Sequence, residues 1–277
     1  MSTHVYHPDT TRIIAQLTHT LPHGIMLYGP NGVGLRTVAM QIAGTALTNV
    51  IQPTDREGVV TTDGSGEIRI PQIRDLLLQT RGKSTSKRVF VIDDADKMNL
   101  PAQQAFLKLL EEPTVNTHFI LIVHTANALL PTIRSRVQAF GVKPITLQQS
   151  QQLIAERSEF DQRRTQQLLF LAEGRPAELT KLLTDAEYFK IQVTAVEDGR
   201  LLLQGSAIER ATVAQKYHSD RQGALRMLEQ AIRIIRATLK RHPTTTAVQT
   251  AERLALAHQR ISTNGNIRLQ LLAFVVQ

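Results

Sequence analysis

Three glycines, Gly29, Gly32 and Gly34, fall in the run Gly-Pro-Asn-Gly-Val-Gly-Leu-Arg-Thr at positions 29–37, and the chemistry they suit is that of an anion cradle. The apolar run Ile25-Met26-Leu27-Tyr28 precedes them and a helical pattern over residues 38–47 follows, so a strand turns into a helix here. At such a turn, inward-facing backbone N–H groups and the positive end of the helix meet phosphate, as in a P-loop. Pro30, Asn31 and Val33 fill its variable positions. The charged end departs from the pattern Gly-x-x-x-x-Gly-Lys-Ser/Thr: Leu35 stands at the lysine and Arg36 at the hydroxyl that ligates magnesium. Sliding the frame to use Arg36 and Thr37 turns each by about 100° around the helix, away from its target. A lost charge-assisted hydrogen bond costs about 1.5–3 kcal/mol, which weakens nucleotide binding about ten- to a hundredfold. The run predicts a degenerate P-loop that does not hydrolyse ATP; a glycine-rich turn with no nucleotide ancestry is the alternative.

A second chemical signal is Asp93-Asp94 behind the β-branched run Val89-Phe90-Val91-Ile92. Such a run predicts a strand buried on both faces of a parallel sheet. The arrangement is that of a Walker B segment, in which the strand delivers a carboxylate to the C-terminal edge of the sheet beside the P-loop. Asp93 takes the place of the metal carboxylate. Asp94 takes the place of the residue that polarises water, usually Glu, and its shorter side chain falls about 1 Å back, a displacement that costs about a hundredfold in rate.

The elements that must hold these groups alternate. Residues 8–20 read as a helix opened by Pro8 and Asp9, residues 58–62 as a short strand, and residues 68–79 as a strand leading into a helix near Pro71. Asn99 caps a helix whose Ala102, Ala105, Phe106, Leu109 and Leu110 share one face, ended by Glu111, Glu112 and Pro113. Residues 119–123 form a second buried strand before His124-Thr125. The alternation predicts an α/β parallel sheet with crossovers up to residue 142.

Composition narrows the classes. The chain has 277 residues, no cysteine and a net charge of +8; disulfides, thiolate zinc sites and cysteine nucleophiles are excluded. The nine histidines are scattered along the chain, and each is expected at the surface or in packing rather than on a metal. No apolar run reaches 18 residues and the first residues lack a signal-peptide pattern, so the expectation is a cytoplasmic protein with no membrane partner. Positive charge favours an acidic partner such as nucleic acid. Residues 186–277 carry 13 Lys and Arg against 7 Asp and Glu, with Arg221, Arg226, Arg233, Arg236, Lys240 and Arg241 on or beside one helix. That helix, and the basic run at 81–88, is either a solvated face or a contact to DNA phosphates; with no Trp there is little to stack on bases.

Val-Ile-Asp-Asp-Ala-Asp-Lys-Met at 91–98, Phe-Leu-Lys-Leu-Leu-Glu-Glu-Pro at 106–113 and Leu-Leu-Pro-Thr-Ile-Arg-Ser-Arg at 129–136 together resemble the clamp-loader subunits of bacterial DNA polymerase III, which are AAA+ proteins. The resemblance is strong over residues 15–142 and returns in Asn264-Gly-Asn-Ile-Arg-Leu-Gln-Leu-Leu. It implies an AAA+ α/β P-loop module with a parallel sheet over 1–143, a small helical lid over 144–185, and an all-α collar domain for oligomerisation over 186–277. By position it makes Arg136 an arginine finger acting in trans on a neighbouring subunit's ATP, with a structural ion pair inside its own domain as the alternative. It places Thr125 at sensor 1 and Ala177 where ATP-using members carry the sensor 2 arginine; Arg175 substitutes only if its helix starts before Pro176. The four-cysteine zinc module of many relatives is missing from 48–70.

The resemblance therefore implies a non-hydrolysing clamp-loader subunit in DNA replication, within a hetero-oligomer. No cofactor is expected to be held tightly, with ATP and magnesium at neighbouring subunits. The implied partners are other clamp-loader subunits of the delta and gamma/tau types, the sliding clamp and primed DNA. Leu254, Leu256, Ala257, Ile261, Ile267, Leu269, Leu271, Leu272 and Phe274 exceed what a thin helical layer needs, and the surplus is read as contact between subunits. Two alternatives stay open: an active gamma-type ATPase using Arg36 and Thr37, and a stand-alone basic DNA-binding adaptor in an AAA+ shell.

Overall fold

A computed structural model describes residues 4–61, 66–80, 85–112, 114–157 and 160–275. The chain forms two compact units, Met1–Thr180 and Lys181–Gln277. The first holds a five-stranded, all-parallel sheet: β1 (Gly24–Tyr28), β2 (Leu47–Ile51), β3 (Arg88–Ile92), β4 (Thr117–Val123) and β5 (Gln138–Gly141), in the order β2-β3-β4-β1-β5.

Past Arg88 in β3 and Thr117-His118 in β4, these two central strands are continuously apolar because both faces are covered. Met26, Phe90, Ile92, Phe119, Leu121 and Val123 point into one core, beneath the helices Ile70–Thr80 and Leu100–Glu111. Ile25, Leu27, Val89, Val91, Ile120 and Ile122 point into the other, with the helices Pro8–His19 and Leu35–Ala43. Alternate residues serving opposite cores follow from the two-residue period of a strand. Asn99 caps Leu100–Glu111 through Ala102 N–H, as its sequence predicts.

Several expectations change. The helix read over 38–47 ends at Ala43, and Leu47 opens β2, an edge strand. Helix periodicity carried past Gly44, where the backbone turns to a φ of +61° and the helix stops. Residues 58–61 form no strand; Val60 makes a single bridge to Thr54, and Thr62 lies outside the described residues. Pro113 and residues 81–84 of the basic run also lie outside them. Arg88, counted with that run, begins β3 and donates to the carbonyls of Gln79 and Thr80 and to Thr117 Oγ1. It staples the sheet rather than offering itself to phosphate.

The second unit is helical, built chiefly on Ala186–Gln204, Ala207–Lys216, Arg221–Arg241, Thr245–Ser262 and Ile267–Leu272. Its core takes Leu254, Ala257, Ile261, Ile267, Leu271 and Phe274, six of the nine apolar residues named above for these helices. They bury within their own layer because three helices converge on them, a closure that periodicity along one helix does not reveal. Leu256, Leu269 and Leu272 alone of the nine remain exposed. Arg221 also leaves the basic face: its guanidinium donates to the carbonyls of Ile261 and Gly265. Among the described residues, no helix is long and apolar enough to cross a membrane.

Candidate functional site

The sheet order decides what meets at its C-terminal edge. Between β1 and β3 lies β4, with Tyr28 opposite Val123 and Ile92 opposite Leu121. Gly29, His124 and Asp93 are the residues that leave these three strands at one edge, the place where open α/β sheets bind ligands.

The 29–37 run folds as a glycine turn between β1 and the helix Leu35–Ala43. A Cβ on Gly29 would lie 2.7 Å from the carbonyl oxygen of Val142, so only glycine fits against β5. Gly32, at a φ of +82°, has its own reason: a Cβ there would press on Glu178 at 3.1 Å. Val33 and Leu35 turn inward and bury, Leu35 being 4% exposed. Leu35 thus packs in the core beside the sheet and presents no group to an anion.

Arg36 lies on the outer side of the first turn, and its Nη1 stands 3.3 Å from Asp93 Oδ2. A guanidinium therefore faces the carboxylate that the sequence pattern places at the metal, and it arrives from the position where that pattern places the hydroxyl. The Asp93 carboxyl is pushed up by burial and by the negative charge of Asp94, with Arg36 and His124 pulling the other way. Thr37, the hydroxyl of the shifted frame, is the next residue round the same helix.

Asp94 is not free to polarise water. It adopts a left-handed backbone at φ 50°, and its carboxylate receives His124 Nε2 at 3.1 Å and Lys97 Nζ at 2.7 Å. The hydrogen bond from His124, with further help from Lys97 and against burial, holds it down at about 2. His124 Nδ1 lies 3.2 Å from the Gly29 carbonyl oxygen, so both ring nitrogens face oxygen acceptors. Only the imidazolium donates to both, and the bond to Asp94 raises the His124 pKa. Sequence reasoning passed over His124. The signal available was its place directly after a buried strand, but the strand order needed to put it between the two motifs was not. Thr125 meets the cluster through its backbone, donating N–H to Asp96 Oδ2 at 3.1 Å.

This triad sets a pH dependence. His124 is raised above its unfolded value, so its contribution is complete below about pH 6.5 and is lost as pH rises through the folded pKa. Asp94 is depressed, so its contribution is complete above about pH 4 and is lost as pH falls towards 2. On this basis, urea unfolding of the chain followed by circular dichroism should show stability falling from pH 6 to 9. The variant His124→Gln should show a flatter profile there; parallel profiles would remove His124 as the cause.

The loop is also closed from above. Ala177 N–H donates to the Gly32 carbonyl at 3.1 Å and Glu178 N–H reaches it at 3.4 Å, so the first turn of the helix Pro176–Thr184 is satisfied by the P-loop itself. That helix starts at Pro176, leaving Arg175 before it. The Arg175 guanidinium donates to the carbonyls of Ala172, Leu171 and Asn31. It caps the preceding helix and ties down the loop, and so does not stand in for an arginine at Ala177.

Arg136 lies apart, on the surface beyond the short helix Pro131–Arg134. Its Nη2 pairs with Glu111 Oε1 at 2.9 Å and its Nη1 donates to the Thr132 carbonyl at 2.9 Å. Two sequence motifs, the Glu111-Glu112 helix end and Ser135-Arg136, thus meet. The buried side chain of Gln103 positions them: its Nε2 donates to the carbonyls of Met98 and Ala128, and its Oε1 accepts Leu130 N–H. Gln103 carried no sequence signal, being a polar residue on a helix with an apolar face.

Residues 48–146 match the family model described as DNA polymerase III, delta subunit. Over 219 residues the chain is 29% identical to DNA polymerase III subunit delta' of Pseudomonas aeruginosa, covering 71% of this chain and 66% of that one. It is 30% identical over 172 residues to the probable replication factor C subunit 5 of Caenorhabditis elegans (57% and 44% covered). It is 26% identical over 211 residues to DNA polymerase III subunit tau of Bacillus subtilis (68% and 37%). These matches span 66%, 44% and 37% of the relatives' own lengths. A DNA polymerase III gamma subunit-related protein of Thermotoga maritima superposes with a TM-score of 0.59 at 17% identity, over 97% of both chains. The architecture, a parallel α/β module followed by helices, is shared with that structure, and the resemblance carried by residues 91–98, 106–113 and 129–136 stands.

Proposed function

We propose that this chain is a delta-prime-like clamp-loader subunit of DNA polymerase III. It supports ATP-dependent loading of a sliding clamp on primed DNA without hydrolysing ATP itself. The observation that carries the reading is the Arg36–Asp93 pair at 3.3 Å. The residues present do not fit magnesium-ATP: a cation already neutralises the metal carboxylate, buried Leu35 offers no charge to β- and γ-phosphates, and Asp94 is held by His124 and Lys97. The bonds from Ala177 and Glu178 to Gly32 add a fourth obstacle.

The useful group is then Arg136, which lends its guanidinium to ATP bound by an adjacent subunit. A planar fork of donors stabilises charge on a transferring γ-phosphoryl group. Its pair with Glu111 is solvent-exposed, worth about 1 kcal/mol or less, so exchange of Glu111 for a phosphate is inexpensive. Partners are the delta-type and gamma/tau-type subunits, the clamp and primed DNA, with the helical unit as the oligomerising collar.

The test is reconstitution with the delta-type and gamma/tau-type subunits encoded in the same genome, assaying hydrolysis stimulated by clamp and primed DNA. We expect stimulated turnover to require this chain, and this chain alone to turn over no ATP. Magnesium-dependent turnover by the chain alone would favour a gamma-type ATPase. A chain that stays monomeric in the mixture while binding DNA would favour the adaptor.

A further inference from the structure

The sequence contains two Asn-Gly pairs, Asn31-Gly32 and Asn264-Gly265, and both asparagines are exposed. Asparagine before glycine is prone to spontaneous loss of its side-chain amide, because no Cβ on the following residue hinders attack by that residue's backbone nitrogen. The fold sets the two pairs apart. At Asn264-Gly265 the nitrogen is engaged: Gly265 N–H donates to the Arg260 carbonyl at 2.7 Å and closes the end of the helix Thr245–Ser262. A Cβ on Gly265 would lie 2.5 Å from that same oxygen, so the residue is pressed against the helix end. Its nitrogen cannot turn towards Asn264 without opening that end.

At Asn31-Gly32 the nitrogen is not engaged. Residues 30–33 form a β-turn closed by Val33 N–H on the Pro30 carbonyl at 3.2 Å. Gly32 has a φ of +82° and Asn31 is not among the residues of positive φ, which makes the turn type II. Gly32 N–H donates to no protein acceptor among the described residues. The carbonyl of the same peptide, on Asn31, accepts Arg175 Nη1 at 3.3 Å at the surface. Type I and type II turns differ by a flip of this central peptide, and glycine in the third position permits both. The flip swings the Gly32 nitrogen past the Asn31 side chain, while the Pro30 and Gly32 carbonyls keep their partners.

We infer that Asn31 is a site of spontaneous covalent modification in the folded protein, and that its isoaspartate product releases the helix Pro176–Thr184 from the loop. Hydroxide takes the Gly32 N–H proton, the nitrogen bonds to Asn31 Cγ, the Cγ–Nδ2 bond breaks and ammonia leaves, giving a cyclic imide. Water then adds to one imide carbonyl carbon and breaks its bond to nitrogen. Opening at Cγ gives aspartate; opening at the backbone carbon gives isoaspartate, whose main chain runs through Cβ and Cγ. The sum is asparagine and water giving a carboxylic acid and ammonia, with nothing oxidised or reduced. Isoaspartate inserts a methylene into the main chain of a turn closed by one hydrogen bond, and so displaces the Gly32 carbonyl that receives Ala177 and Glu178 N–H. The inference is independent of the clamp-loader reading.

The experiment holds the full-length chain at mildly alkaline pH below its melting temperature. Tryptic peptides are then followed by mass spectrometry, with aspartate and isoaspartate separated by chromatography. Residues 13–36 contain Asn31 as their sole asparagine, so the mass gain there is assigned directly. Both products are expected at residue 31, about tenfold faster than at residue 264, the factor that one backbone hydrogen bond confers. In urea, where neither nitrogen is engaged, the two rates should become similar. Asn31→Gln should abolish the gain in that peptide, because the larger glutamine ring closes far more slowly. In the isoaspartate fraction, amide hydrogen exchange at Ala177 and Glu178 should be faster than in fresh protein. A folded chain in which Asn31 reacts no faster than Asn264, or a rate ratio that urea leaves unchanged, overturns the site. Exchange at Ala177 equal to that of fresh protein overturns the release of the helix.

Discussion

Replacing Arg136 by alanine is expected to slow ATP turnover at one site of the assembled complex by about 10³-fold or more, the scale on which an arginine finger acts. Assembly and folding should survive. The side chain is 38% exposed, and its contacts within its own unit are one ion pair and hydrogen bonds at the surface. Such contacts contribute about 1 kcal/mol at most, so the urea midpoint should hardly move. Arg136→Lys separates charge from geometry: it keeps the cation and loses the planar fork, and should recover only part of the rate. Single-turnover hydrolysis in the reconstituted complex is the measurement. Unchanged turnover in the alanine variant, with a lowered urea midpoint, would leave Arg136 as the intradomain partner of Glu111 and nothing more. Glu111→Gln gives a useful control, since it frees the guanidinium without removing it and should not slow turnover.

The second large effect concerns the chain's own loop. A P-loop that binds nucleotide with micromolar affinity gains about 8 kcal/mol. Loss of the lysine and loss of the metal site remove about 2 kcal/mol each, which carries the affinity to about 1 mM. Calorimetric titration of magnesium-ATP into the isolated chain should therefore show no binding in the micromolar range. The double substitution Leu35→Lys with Arg36→Thr restores the phosphate cation and the metal hydroxyl, and releases Asp93 from its guanidinium. It is expected to tighten binding about ten- to a hundredfold. It should stop short of an active loop, because Asp94 stays locked to His124 and Lys97 and Ala177 supplies no sensor arginine. Micromolar, magnesium-dependent binding by the unaltered chain would dismiss the reading of Arg36 as a substitute for the metal.

Arg36 shows how far sequence reasoning reaches. Counting positions from Gly29 placed it at the hydroxyl ligand and concluded that it ligates no magnesium, a statement about chemical type. Its pairing with Asp93, 57 residues away, is a statement about space. The pairing arises because β1 and β3 flank β4 and end at one edge. The same strand order explains His124, invisible as a lone histidine and central once the residues after β4 lie between the loop and Asp94. The nine apolar residues of the C-terminal helices divide along the same line. Their periodicity marked them as buried somewhere, but whether the cover comes from their own chain or another is decided by helix packing, and six of them pack at home.

The residue types alone determined that this is an α/β chain with a glycine turn after one apolar strand and a carboxylate pair after another, that no thiol chemistry operates, and that the lysine of the phosphate loop is missing. These are local properties, set by backbone freedom, side-chain charge and the two- and 3.6-residue periods of strand and helix. Tertiary structure alone decided that a guanidinium meets Asp93, that a histidine bridges Gly29 and Asp94, and that the helix Pro176–Thr184 closes on Gly32. Each of those joins residues far apart in the chain, and such contacts depend on strand order and helix packing, which periodicity within one segment cannot encode.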